Sequence, residues 1–233
     1  MNAVVHESRG GEAGGFAAAA LLRQWIDVRR LPLITLLLTA LAFATLGAAA
    51  SEAFQYDRER LAAGELRRVL TCQWTHWSLD HLLWDAAVFA ALGAVCERRD
   101  RRGFLATVLV AAVGVPVAVY LSRPELLAFR GLSGIDSALV GLVLADLTAG
   151  YVRRKDRRGV ATTVFISFLF LAKTGDELVT GNALFVDATA AGFVAVPEAH
   201  LVGFAIGIAV TLTSILRPRS HGSAATRHLA SSV

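Results

Sequence analysis

Residues 103–122 read GFLATVLVAAVGVPVAVYLS, an unbroken run with no charged side chain. About 20 apolar residues at about 1.5 Å each cross the hydrocarbon core of a bilayer. A surface helix of a soluble protein would keep one polar face, and this run has none. It therefore reads as a membrane span, with Pro116 expected to kink it. Immediately before it stand Arg98, Arg99, Arg101 and Arg102, and such basic clusters mark the cytoplasmic ends of spans.

Working outward, the same reading finds five more candidates: Leu31–Ser51, Leu79–Cys96, Ser133–Val152, Gly159–Ala172 and His200–Leu216. The second, fifth and sixth spans in chain order are short or polar at one end, so they should be bundled with neighbours. The expected fold is an all-α membrane protein, a bundle of six transmembrane helices over residues 31–216. Residues 1–30 are expected to form a cytoplasmic N-terminal tail and 217–233 a cytoplasmic C-terminal tail. Residues 1–20 have no compact basic region followed by an apolar one, so they do not read as a signal peptide.

The composition agrees. Hydrophobic residues make up 55% of the chain and charged residues 18%, against about 25% charged in soluble domains. Disorder is excluded by the same figures. The net charge of +4 sits in clusters between apolar runs, around Arg29 and Arg30, Arg98–Arg102, Arg153–Arg158 and Arg217–Arg219. They fall at alternate span ends, which places both termini inside and calls for no nucleic-acid partner. Two cysteines, Cys72 and Cys96, are too few for a disulfide scaffold. No cofactor is expected, and the partner that the composition implies is the lipid bilayer.

Polar residues within spans mark function by default. His81 and Asp85 fall in the outer half of the second span, Ser133 at the outer start of the fourth and His200 at the outer start of the sixth. These three spans run parallel in a six-span topology, so the hydroxyl, the imidazole and the acid share one depth. Ser133, Ser137, Gly141 and Ala145 recur every fourth residue as a stripe of small side chains. His200, Gly203 and Gly207 share a face of the sixth span. Small residues allow close helix approach, and packing these two stripes together would unite Ser133 with His200, as a nucleophile and base require. Gly131 and Gly134 flank the serine, and free N–H groups at a helix start can hold an oxyanion. Taken singly, each feature has a plainer explanation: a capping serine, an interfacial histidine, glycines for packing. Their joint occurrence at one depth favours catalysis.

At this point the residues resemble the rhomboid family of intramembrane serine proteases. His76-x4-His81-x3-Asp85 is similar to the family's His-x4-His-x3-Asn motif. Gly93-x3-Glu97 resembles its glycine and glutamate at the inner end of the same helix. Gly131-Leu132-Ser133-Gly134 with Gly141 looks like its GxSG motif and following glycine, and Ala199-His200-x2-Gly203-x3-Gly207 like its histidine motif. The resemblance covers about residues 60–215. It implies a Ser133–His200 dyad, with His81, Asp85 and Gly131 about the oxyanion, no metal, and membrane-anchored protein substrates cut near the outer face. The Leu of GLSG and the PEAHLVG segment resemble most the rhombosortase branch, which implies trimming of C-terminal GlyGly-CTERM sorting tails in a bacterial inner membrane.

Two positions depart from the family pattern. Asp85 stands where the family has Asn, so it is expected either to carry a proton and donate or to point elsewhere. Ser137 stands where an aromatic ring often stacks on the histidine, so some other group must orient His200. Lys173, Asp176 and Glu177, at the outer end of the fifth span, read as snorkelling or locally paired charges. The resemblance implies that the fifth span and the segment from Gly175 to Ala199 form the substrate gate. The competing readings are an inactive relative that binds transmembrane segments, and a metal site on His76, His81, Asp85 and His200.

Overall fold

The computed structural model describes residues 31–184 and 193–216. The expected tails, 1–30 and 217–233, lie outside the described residues. Among these residues the chain is mostly helical: α1 Leu33–Ala44, α2 Ala48–Phe54, α3 Arg58–Ala62, α4 Arg67–Thr71, α5 Leu79–Arg99, α6 Arg101–Ser122, α7 Ser133–Arg153, α8 Arg157–Thr180 and α9 Pro197–Leu216. Two short strands, β1 Tyr56–Asp57 and β2 Ala128–Phe129, pair antiparallel, with Tyr56 opposite Phe129.

Among the described residues four helices, α5, α6, α7 and α9, are each long and apolar enough to cross a membrane. Leucine, valine and phenylalanine side chains such as Leu109, Phe165 and Phe168 stand on the bundle's outside, where hydrocarbon rather than water is the fitting solvent. The stretch expected as one straight span, Leu31–Ser51, is bent, and its two helices pass as a membrane span only when taken together. It breaks into α1 and α2, which lie at 116° to each other. Gly47 adopts φ +143° at the break, a conformation that suits glycine, and the Thr45 hydroxyl donates to the Trp74 carbonyl. The expected fifth span was too short: α8 runs on to Thr180. Its last turns carry Lys173, Asp176 and Glu177, and it falls outside the apolar set. The chain continues helical through Pro116 within α6.

The spans α5, α7 and α9 run in the same direction, as their polar starts required. Near one end Leu132 N donates to Asp85 Oδ2 at 2.8 Å, and near the other Arg99 pairs with Asp146. The core is the interior of this bundle, centred on Phe89, Phe104, Val115, Ile135 and Leu139.

Residues 55–78 fold through β1, α3 and α4. Arg68 is fully buried, its Nε on Glu65 and its Nη1 donating to the carbonyls of Glu52 and Gln55, both at 3.0 Å. Arg58 donates to the Tyr120 carbonyl at 2.8 Å. Each guanidinium gathers backbone acceptors from separate turns and so folds the excursion. The hydrogen bond to Arg68 holds the Glu65 carboxyl below its ordinary range.

Glu97 anchors α1. Its carboxylate accepts from Ile34 N at 3.2 Å, Thr35 N at 2.9 Å and Thr35 Oγ1 at 2.9 Å, and it pairs with Arg101 at 3.1 Å. The first N–H groups of a helix lack intrahelical partners, and Pro32 offers no side-chain cap. Glu97 therefore caps α1 from another helix, where an anion is favoured. Gly93 makes room: a Cβ there would sit 2.8 Å from Thr35 Cγ2. Glu97→Ala is expected to cost about 3 kcal/mol or more by stranding buried donors, seen as a lower melting temperature in detergent. Glu97→Gln, which keeps an acceptor, is expected to lose less.

Candidate active site

The chain leaves β2 and turns into α7 through Gly131, whose φ is +121°. A side chain here would be strained by the backbone. It would also collide, since a Cβ would lie 2.9 Å from His81 Nε2 and 3.0 Å from Asp85 Oδ2. Gly131 N donates to the Cys72 carbonyl at 3.3 Å. Burial pushes the Cys72 thiol up to about 12, so it is no nucleophile near neutral pH. The N-cap of α7 is Leu132, with no side-chain cap bond. Ser133 is thus not a capping serine, and its hydroxyl lines a cavity.

His81 and Asp85 lie one turn apart on α5, and His76 reaches them from the preceding loop. Both His76 Nε2 and His81 Nε2 lie 3.3 Å from Asp85 Oδ2. The same oxygen accepts from Leu132 N. A backbone N–H can only donate, so at this oxygen Asp85 is an acceptor that holds the loop before Ser133. Among the described residues no cluster of three His, Cys, Asp or Glu has the arrangement of a metal site.

The backbones of α7 and α9 approach closely at three glycines. A Cβ at Gly203 would overlap the Gly134 carbonyl, one at Gly207 the Ala138 carbonyl, and one at Gly141 the Phe204 carbonyl. The stripe on α7 that meets α9 is therefore Gly134, Ala138, Gly141 and Leu142. This corrects the expected stripe Ser133, Ser137, Gly141, Ala145, which shares only Gly141. One residue turns a helix by about 100°, and that turn frees Ser133 and Ser137 to line the cavity. Ser137 Oγ donates to the Ser133 carbonyl at 2.7 Å.

His200 sits in the first turn of α9, three residues before Gly203. Its Nδ1 lies 3.1 Å from Glu177 Oε2 of α8. Glu177 is buried, with Lys173 Nζ 2.7 Å from Oε1 and Leu184 N donating to Oε1 at 3.1 Å. Of the two readings of Glu177, snorkelling or local pairing, the structure shows the local pair with Lys173 and adds the contact to His200. Two contacts from Arg123 Nη1 to the Glu198 carboxylate, both 3.0 Å, clamp the same turn to the end of α6. The Arg123 guanidinium is raised above its ordinary range, first by Glu125 and then by Glu198.

Ser133, His200, His81, Asp85, Asp136 and Glu177 all face one cavity of about 430 Å³, within the size range of ligand sites. Its remaining wall is largely apolar, including Trp77, Trp84, Val88 and Phe170. Phe193 stacks on His81 at 5.1 Å and on Trp77 at 6.0 Å, and Arg130 lies 4.1 Å over the Trp77 ring. No hydrogen bond joins Ser133 to His200 in this structure, and the imidazole's bond runs through Nδ1 to Glu177. Catalytic hydrogen bonds are often long without substrate and tighten on binding.

Of the residues singled out in the sequence, Ser133, His200, His81, Asp85 and Gly131 are brought to one place. Gly141, Gly203 and Gly207 form the helix contact beneath them. The sequence reading missed Glu177 as the partner of His200. Its one signal was an acid four residues after Lys173 on an otherwise apolar span.

A family model described as Rhomboid domain matches residues 63–217 of the chain. No curated protein matches it.

Proposed function

Because the chain belongs to the rhomboid family, whose members are generally intramembrane serine proteases, we propose that it is an active one that cuts membrane-anchored proteins with a Ser133–His200 dyad. It is an integral membrane protein of apolar helices. The observation that carries the reading is the sharing of one cavity by Ser133 and His200, on helices in backbone contact.

In this reading His200 Nε2 takes the Ser133 proton as Oγ attacks the scissile carbonyl. The tetrahedral intermediate collapses, the C–N bond breaks, and His200 returns the proton to the leaving amine. Water then attacks the acyl ester with His200 as base, releasing the acid and restoring Ser133. The oxyanion rests on free N–H groups at the start of α7. His81 completes that side, and Asp85 contributes by pinning Leu132 N. Gly131 lets these groups crowd the turn.

The six-span topology, with both termini on the cytoplasmic side of a bacterial inner membrane, and the rhombosortase assignment belong to the same proposal. They rest on the arginine clusters and on the GLSG and PEAHLVG segments. The substrates are then single-span proteins with GlyGly-CTERM tails. The test is incubation of the purified protein in liposomes with such a tailed client and with an untailed one. A cut in the tailed client on the serine side of the span is expected. Recovery of both clients intact, with no fluorophosphonate labelling, would favour an inactive binder.

A further inference from the structure

We propose that Glu177 is the positioning acid for His200, so that the working unit is a serine, a histidine and a glutamate from three different helices. The proposal rests on the protease reading above and adds a residue to it.

The argument begins with the imidazole. To take a proton from a serine, a neutral histidine must present a lone pair on one ring nitrogen, and the proton then sits on the other. A free ring exchanges tautomers and rotates. The ring is held when an acceptor engages the protonated nitrogen. Glu177 Oε2, 3.1 Å from His200 Nδ1, is such an acceptor. It places the proton on Nδ1 and leaves Nε2 for Ser133.

The acid is itself fixed. Its other oxygen, Oε1, is occupied by Lys173 Nζ at 2.7 Å and Leu184 N at 3.1 Å. Each oxygen therefore has its own role, one as anchor and one toward the ring. The carboxylate is 2% exposed, so little water competes for it. When His200 becomes an imidazolium, this carboxylate faces the new charge in a dry setting, where attraction is stronger than in water. The family pattern places a stacked ring on this histidine, and Ser137 cannot supply one. Glu177 meets the same need by hydrogen bonding.

The experiment uses the full chain in liposomes with a cleavable client, comparing wild type, Glu177→Gln and Glu177→Asp, together with 15N spectra of His200. Glu177→Gln is expected to lower kcat about 10²-fold, the scale of general-base catalysis, with KM unchanged. The His200 ring should pass from a single Nδ1–H tautomer to a mixture. Glu177→Asp, which keeps the charge, should recover part of the loss. A Glu177→Gln protein with wild-type kcat, or with an unaltered His200 tautomer, overturns the positioning role and leaves the protease reading standing. A wild-type protein that neither cuts nor takes a fluorophosphonate overturns both. If Glu177→Gln fails to fold, Glu177→Asp decides: a folded variant whose kcat falls as the single Nδ1–H tautomer is lost supports the role, and a folded variant with full kcat overturns it.

Discussion

Ser133→Ala removes client cleavage by about 10⁵-fold or more and abolishes fluorophosphonate labelling, while the protein stays folded. The scale is that of losing a nucleophile that works as a unit with its base. Retention of fold follows from the structure. The Ser133 side chain caps nothing, and its carbonyl, which accepts from Ser137, survives the change. Client binding should persist, so the variant is expected to co-purify intact client. His200→Ala should cost a similar factor, and the double variant little more than either, because each alone already disables the unit. Labelling of Ser133→Ala at the wild-type rate would place the nucleophile elsewhere.

Gly203→Val is expected to have the largest effect on the fold. A Cβ at this position overlaps the Gly134 carbonyl and lies 3.2 Å from Ala138 N. Both obstacles are backbone, so no rotamer change relieves them. The helices must separate, which strips the close packing that holds membrane helices together. A cost above about 4 kcal/mol is in the exceptional range for a point change, and overpacking against rigid backbone is one of the mechanisms that reaches it. The expected readouts are loss of a monodisperse species in detergent and loss of labelling at Ser133. Gly203→Ala should show the same signs more weakly. A Gly203→Val protein with wild-type melting and labelling would mean that α7 and α9 do not pack as described.

What could be read in the sequence follows a physical line. The spans α6, α7 and α9 were legible because long apolar runs bounded by arginines and polar starts are a local signal. The cluster of Ser133, His200, His81 and Asp85 was legible because parallel spans align residues by depth. Helix-face assignments were less secure. The stripe on α7 was placed one residue away, since alanine, glycine and serine all pass as small and only the partner's backbone distinguishes them. The break at Gly47 was hidden in an alanine-rich stretch that favours helix locally, and it depends on Thr45 reaching Trp74. The folded excursion before α5 depends on Arg58 and Arg68 finding carbonyls at long range. Glu177 was passed over because its partner lies 23 residues away on another helix.

The Gly134, Ala138, Gly203 and Gly207 contact has a mechanical consequence. With carbonyl set directly against α-carbon, α7 and α9 move as one stiff plank that carries both the hydroxyl and the imidazole. The carboxylate rides on a separate strut, α8, which carries the exposed side chains Val164, Phe165 and Phe168. Sliding that strut aside to admit a client would leave the spacing on the plank unaltered and change only the acid's reach.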